Sequence, residues 1–434
     1  VTNLQDPQDA QDMPNISDDA NSPEPPPGCS AHAGAAPLYG PRFQDDPSGV
    51  YQQMRREHGS VAPILLEGDL PAWLVLGYRD VLRVTTDVQT FERDSRRWSC
   101  WPQVPADWNL LPWVAPGPVV LHTEGEEHRM RSMAISQAIA AIDPFELQSY
   151  CERFADDMVD TFAGRGNSNL INEYVYAVPS LVMARLFGIP NDELETVAKA
   201  VCATVIADDD AIPGQQRAAE LLARLVAARR QAPGSDIISQ LLQAAPTLSD
   251  EQAVADLMAM MAGQLPLTAC WIGNTIRLML MDDRFSLTLS GGRLSVGEAL
   301  TEVLWADSPM QNLLGRYVTR DTTLGGQHLR AGDLVVLGYA AANRDPLLWS
   351  DSDAGFAGNS AHLSFSHGDY GCPVGAPEMA KTIAQTTVAV LLDRLPDVTL
   401  AVAPDELEWL DSLWYRGLAS LPVTFTPAPA GQPR

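Results

Sequence analysis

The sequence predicts a mainly α-helical protein with small β-sheets at one side. Three observations carry that reading. Residues 143–243 alternate helical apolar patterns with short breaks at Gly164–Asn169, Ile189-Pro190 and Pro233-Gly234. Leu257–Ile276 holds no charged residue and is far too long for a strand. Strand-like alternation is confined to short runs: Val61–Leu66, Ala72–Leu76, Leu334–Leu337, Val398–Val402 and Pro422–Thr426.

Composition narrows the function. The chain has 434 residues and is 46% apolar, an ordinary globular content. Its net charge of −26 opposes binding to nucleic acid or to an anionic membrane surface. Cys29, Cys100, Cys151, Cys202, Cys270 and Cys372 lie far apart with no C-x-x-C pair. That spacing is neither a disulfide framework nor a zinc site, and it suits a reducing, cytoplasmic setting. The acidic, polar start reads as neither signal peptide nor anchor. Leu257–Ile276 approaches membrane-span length. Gln264, Pro266, Thr268 and Asn274 lie within it, and Asp256 and Arg277 bracket it, so it reads as the buried central helix of a large fold.

In chain order, residues 1–36 are rich in Asp, Asn, Pro, Gln and Ser and predict a disordered leader. Folded chain is expected over 37–427, with a short tail at 428–434. Pro47–His58 reads as a helix, Glu67-Gly68-Asp69 as the turn of a hairpin, and Tyr78–Thr86 as a second helix. The segment Arg93–Pro118 carries Trp98, Trp101, Trp108 and Trp113 among prolines and predicts neither regular helix nor strand. In His122–Ser136, Thr123 is the expected N-cap, with Glu126 completing a capping box. His128, Arg129 and Arg131 on that helix are either a solvated charged face or a site for an anion. Asp208-Asp209-Asp210 reads as solvated loop acids rather than a metal site.

Gly368 and Gly371 precede Cys372, Pro373 follows it, and a helical pattern runs on to Asp393-Arg394-Leu395-Pro396. A cysteine at a helix start is expected to have a lowered pKa and to ligate a soft metal or haem iron. The other reading is a structural cysteine.

Phe365, Gly368 and Cys372 fall in the spacing F-x-x-G-x-x-x-C. With them come, in order, the His128 helix, Ala262-Gly263, Glu302, Arg316 and Asn343-Arg344-Asp345-Pro346. Over residues 37–427 the chain resembles a soluble bacterial cytochrome P450. The resemblance implies a single mainly helical haem-thiolate catalytic domain holding haem b, iron protoporphyrin IX. Cys372 would be the iron's thiolate ligand, and Phe365 and Gly368 would shape its loop. His128, Arg131 (in place of a family arginine where Ser132 stands), Arg316 and His362 would contact the propionates. Gly263 would open the central helix over the iron, and Thr268 would serve the proton relay. The tryptophan-rich segment would either help roof the substrate pocket or serve as plain packing.

Several positions depart from the family pattern. Ser366, Tyr370 and Val374 stand where the family often has Gly, His or Arg, and Gly. Leu265 and Pro266 replace the acid and threonine of the central helix. Glu302 keeps its place, but Trp305 replaces arginine, as in an actinobacterial subgroup. Asn359 and Ser360 stand where an arginine usually follows Phe356. The resemblance implies a monooxygenase of secondary metabolism that oxidises a small organic molecule with dioxygen, served by a ferredoxin and ferredoxin reductase. Two alternatives stay open. One is a haem-binding sensor or scaffold with little turnover, working with a GTPase-type signalling partner. The other is a peroxide-driven haem enzyme.

Overall fold

The computed structural model describes residue 32 and residues 34–108, 110–190, 192–193, 211–286, 295–348 and 359–428. Asp208, Asp209, Asp210 and Phe356 lie outside the described residues.

The helical half is built around one helix, Asp250–Met281. Leu257, Met261, Leu265, Ala269, Ile272, Ile276 and Met279 recur every three or four residues along it, and all are buried. Ser249 starts the helix with a reciprocal capping box to Gln252, so it begins before the uncharged run expected from sequence. Helical structure continues through Pro266, although a proline cannot donate to the backbone ladder. By length and composition this helix could cross a membrane, but here its neighbours are the helices Ala376–Arg394, Ala211–Gln231 and Val296–Ala306. Helix Ala376–Arg394 also packs along Pro144–Phe162.

A six-stranded sheet forms the other side. Its strands are β1 (Ala36–Pro37), β2 (Val61–Leu66), β3 (Leu70–Val75), β4 (Phe91–Glu92), β6 (Leu313–Val318) and β9 (Leu334–Leu337). Their order is β1-β2-β3-β9-β6-β4. Two smaller sheets use β5 (Asn167–Asn169), β10 (Thr399–Leu400) and β11 (Pro422–Thr424), and the hairpin β7 (Thr322–Leu324) with β8 (Gln327–Leu329). The turn joining β2 and β3 bends at Gly68 and Asp69, with φ 80° and 59°. Placed chain reaches back ahead of residue 37. The His32 ring packs edge-on to Trp73 at 4.7 Å, and β1 pairs with β2.

Two pairings position the site. Strand β4 runs antiparallel to β6, with Phe91 opposite Val318 and Glu92 opposite Tyr317. Between Leu313 and Arg316 the β6–β9 register shifts at Gly315, whose φ is +97°. The start of the tryptophan-rich segment therefore lies against the Arg316 strand.

Candidate functional site

The Cys372 loop is a sequence of short backbone clasps. Ser366 N–H donates to the Leu363 carbonyl (2.8 Å), Cys372 N–H to Phe365 (3.0 Å) and Gly371 N–H to Gly368 (2.9 Å). Gly368 adopts φ +75°, and a Cβ there would lie 2.3 Å from the Thr85 carbonyl oxygen at the end of helix Tyr78–Thr86. Only glycine fits that approach. Ser366 holds φ +62° where the related motif has glycine, and its Oγ accepts from the Tyr339 hydroxyl (2.8 Å). Val374 N–H donates to Ser136 Oγ (3.1 Å), which ties the loop to the His128 helix.

The expected setting of Cys372 needs correcting. The helix starts at Ala376 after Gly375, and Pro377, not Pro373, occupies its first turn. Cys372 is thus set back from the helix N-terminus, and its pKa is raised, to about 12, by burial rather than lowered. Cys372 is nonetheless exposed. A coordinating metal deprotonates such a thiol outright.

A buried basic cluster lies beside the loop. Arg316 is 0% exposed, and among the described residues its guanidinium makes one hydrogen bond, from Nη1 to the Gly315 carbonyl at 3.2 Å, while its Nε and Nη2 have no partner. Arg93 is 5% exposed and donates to the carbonyls of Leu121 (3.3 Å) and Tyr370 (3.2 Å), with Nε unpartnered. Burial pushes the Arg93 pKa down to about 9, and Arg316 adds to that. Burial also lowers the pKa of Arg316. The Tyr370 ring faces both cations, 5.4 Å from Arg93 Cζ and 5.0 Å from Arg316 Cζ. His128 meets the same ring edge-on at 4.5 Å. Its Nε2 lies 3.2 Å from the Asp369 carbonyl and its Nδ1 3.1 Å from that of Val120. Burial lowers the His128 pKa. Sequence reasoning missed Arg93. Its strand, Phe91–Glu92, is too short to leave a periodic signal, and nothing in the sequence tied Arg93 to Arg316.

Arg131 belongs elsewhere. Expected at a propionate, it pairs in this structure with the fully buried Asp256 of the central helix. The Asp256 carboxylate accepts from Arg131 Nε (3.0 Å) and Nη2 (2.6 Å) and from Val120 N–H (2.7 Å). Glu127 takes Arg131 Nη1 at 3.0 Å. Thr123 is not the N-cap either. The helix Gly125–Ala140 is preceded by Glu124 and has no side-chain cap, while the Thr123 hydroxyl donates to the Val120 carbonyl (2.7 Å).

His362 is also seated away from the arginines. Its ring packs against Trp305 (6.0 Å) and Phe365 (5.7 Å), with Nδ1 unpartnered, and burial lowers its pKa to about 4. Phe365 stacks edge-on to Trp271 of the central helix at 5.8 Å. Glu302 accepts from Arg284 Nη2 (2.6 Å). The Trp305 indole donates to the Asn359 carbonyl (2.8 Å). Asn343 holds the approach to the loop: its Nδ2 donates to Leu304 O (2.9 Å) and its Oδ1 accepts from Leu363 N–H (2.7 Å).

On the central helix, a Cβ at Gly263 would meet nothing within 4 Å, so the backbone there faces open space. Leu265 and Pro266 are buried, and Thr268 is 2% exposed. Trp98 packs against Trp101 (5.5 Å) and Trp108 (5.7 Å), and the Trp108 indole donates to Glu67 O (2.8 Å). Those three indoles serve as packing, while Trp113 reaches Trp414 at 5.9 Å.

The residues fit haem. A thiol supplies a soft ligand, and the unpartnered buried nitrogens of Arg93 and Arg316 call for carboxylates.

No family model matches the chain. Similar proteins are nonetheless found. Cytochrome P450 107B1 of Saccharopolyspora erythraea is 29% identical over 392 residues, covering 88% of this chain and 95% of the relative. The vitamin D(3) 25-hydroxylase of Pseudonocardia autotrophica is 26% identical over 405 residues, covering 91% and 97%. Among solved structures, CYP154A1 from Streptomyces coelicolor superposes with a TM-score of 0.79 at 25% identity, covering 90% of this chain and all of that one.

Proposed function

The chain belongs to the bacterial cytochromes P450, haem monooxygenases acting on small organic molecules, and we propose that Cys372 is the residue that binds its haem. The observation that carries this assignment is that two buried arginines, without an ion pair among the described residues, lie against Tyr370 of the Cys372 loop. When bound, the haem supplies dioxygen activation, and a thiolate ligand favours O–O cleavage.

The chain's own residues do the rest. The clasped loop from Leu363 to Gly375 holds the Cys372 sulfur in place, with Gly368 seated on Thr85. Arg316 would hold a propionate through its unpartnered guanidinium nitrogens, and His128 lies against the same Tyr370 ring. The central helix leaves space at Gly263, where a Cβ has no neighbour. Leu265 cannot carry a proton, so the hydroxyl of Thr268 would be the group on this helix that serves proton transfer. Electrons come from a ferredoxin and its reductase. The folded catalytic domain runs to about residue 427.

The sensor and peroxide alternatives were motivated by Leu265, Pro266, Trp305 and Tyr370. Two of these substitutions have structural employment. Tyr370 faces two guanidinium groups, and Trp305 bonds Asn359. Glu302 keeps a cation in Arg284. The names of the relatives favour the monooxygenase.

The test is turnover in an atmosphere of ¹⁸O₂ with ferredoxin, its reductase and a panel of small organic substrates. A product carrying one labelled oxygen atom is expected. Label-free product made only with added peroxide would instead support the peroxide enzyme, and no product from any donor would support the sensor.

A further inference from the structure

We infer that Arg93 is a haem-propionate ligand, supplying the positive charge that Ser132 and Tyr370 do not. The inference rests on the haem-thiolate reading above and adds a residue that motif matching does not reach.

The sheet creates the arrangement. Glu92 of β4 pairs with Tyr317 of β6 in an antiparallel ladder. Continuing that register by one residue sets Arg93 opposite Arg316. Like charges directly opposite each other across strands are destabilising, and burial makes the repulsion worse. At neutral pH both guanidinium groups remain charged. The protein does not neutralise the pair from within: among the described residues, neither arginine makes an ion pair. The nearby acids are engaged elsewhere. Asp94 pairs with Arg96 (2.8 Å) and Glu124 with Arg97 (3.0 Å), and Glu92 accepts from the Tyr370 hydroxyl (2.9 Å).

The remaining donors define the missing ligand. Arg93 Nε and Arg316 Nε and Nη2 are buried without a partner among the described residues. A group bearing two carboxylates balances two guanidinium charges and fills those donors. Haem b carries two propionates. Tyr370 fits the same scheme. Its ring faces both cations, and its backbone carbonyl accepts from Arg93 Nη2 at 3.2 Å. A histidine at that position would add a donor. The tyrosine instead holds the two arginines on its ring face.

The experiment follows haem loss from the ferric holoprotein to excess apomyoglobin by the change in Soret absorbance. Arg93→Met is expected to lose haem about 10- to 100-fold faster than wild type, the scale of a hydrogen bond to a charged group. Arg93→Lys keeps the charge but not the fork, and it should fall between. Arg96→Met, at an exposed arginine paired with Asp94, should match wild type. Loss rates for Arg93→Met and Arg93→Lys within about two-fold of wild type would overturn the inference. If Arg93→Met does not fold, Arg93→Lys alone decides. The carbon-monoxide difference spectrum of reduced wild type separates the two failures. A thiolate-type band with unchanged variants defeats only the Arg93 role, whereas wild type without haem defeats the haem-thiolate reading as well.

Discussion

Removing one partner of the Arg131–Asp256 pair should cost the fold far more than removing both. Asp256 is 0% exposed and Arg131 5% exposed, with two nitrogen–oxygen contacts between them. Burial raises the Asp256 pKa despite Arg131, so desolvation is the larger influence on this carboxylate. Asp256→Asn leaves a buried guanidinium with the Pro118 carbonyl and, as its anionic partner among the described residues, the half-exposed Glu127, and Arg131→Met leaves a buried carboxylate with the Val120 N–H. Each single change is expected to cost about 3–5 kcal/mol. The double variant leaves no unpaired charge, and its asparagine can still accept from Val120, so it should cost only about 1–2 kcal/mol. Urea unfolding of the three variants and wild type gives the coupling energy. A double variant whose loss equals the sum of the singles to within about 0.5 kcal/mol would refute the pairing. Haem release provides an independent check. Arg131→Met should keep its haem as wild type does, and accelerated release would return Arg131 to the propionates.

Three other outcomes follow from the site. Gly368→Ala combines a positive φ, costing about 1–2 kcal/mol for any other residue, with overlap against Thr85 O. The expected total is about 3 kcal/mol or more, seen as a lower urea midpoint with a shift toward a thiol-type carbon-monoxide band; an unshifted midpoint would contradict the contact. His362 has a folded pKa of about 4 against 6.5 unfolded. Its contribution is present above pH 6.5 and is lost as pH falls toward 4, amounting to about 3 kcal/mol. His362→Leu should flatten that acid limb in pH-dependent unfolding, and an unchanged limb would count against a buried neutral histidine. Thr268→Ala should uncouple oxygen consumption from product formation, and unchanged coupling would remove Thr268 from proton transfer.

Local chemistry was readable where it was complete in the local sequence. Pro47–His58, Val61–Leu66, Tyr78–Thr86 and Leu334–Leu337 have the bounds that apolar period and turn residues give them. The central helix was readable as buried, but its true start depends on the Ser249–Gln252 box outside the apolar run. Partnerships made by tertiary contact were less legible. Arg131 lies on the His128 helix, but its angle toward Asp256 is set by packing between distant segments. Arg93 follows a strand of only two residues, and its neighbour comes from β6, far along the chain. Cys372 was placed correctly in its loop, whereas its electrostatics were misread. The turn at Gly375, with φ +89°, delays the helix and removes the cysteine from the dipole.

The most direct test of the central claim is the carbon-monoxide difference spectrum of the reduced protein, recorded for wild type and for Cys372→Ala. A thiolate-type Soret band in wild type that disappears in Cys372→Ala, with the fold retained by circular dichroism, is the predicted result. A thiolate-type band that survives in Cys372→Ala, or a haem-loaded wild type showing only a thiol- or histidine-type band, would contradict it.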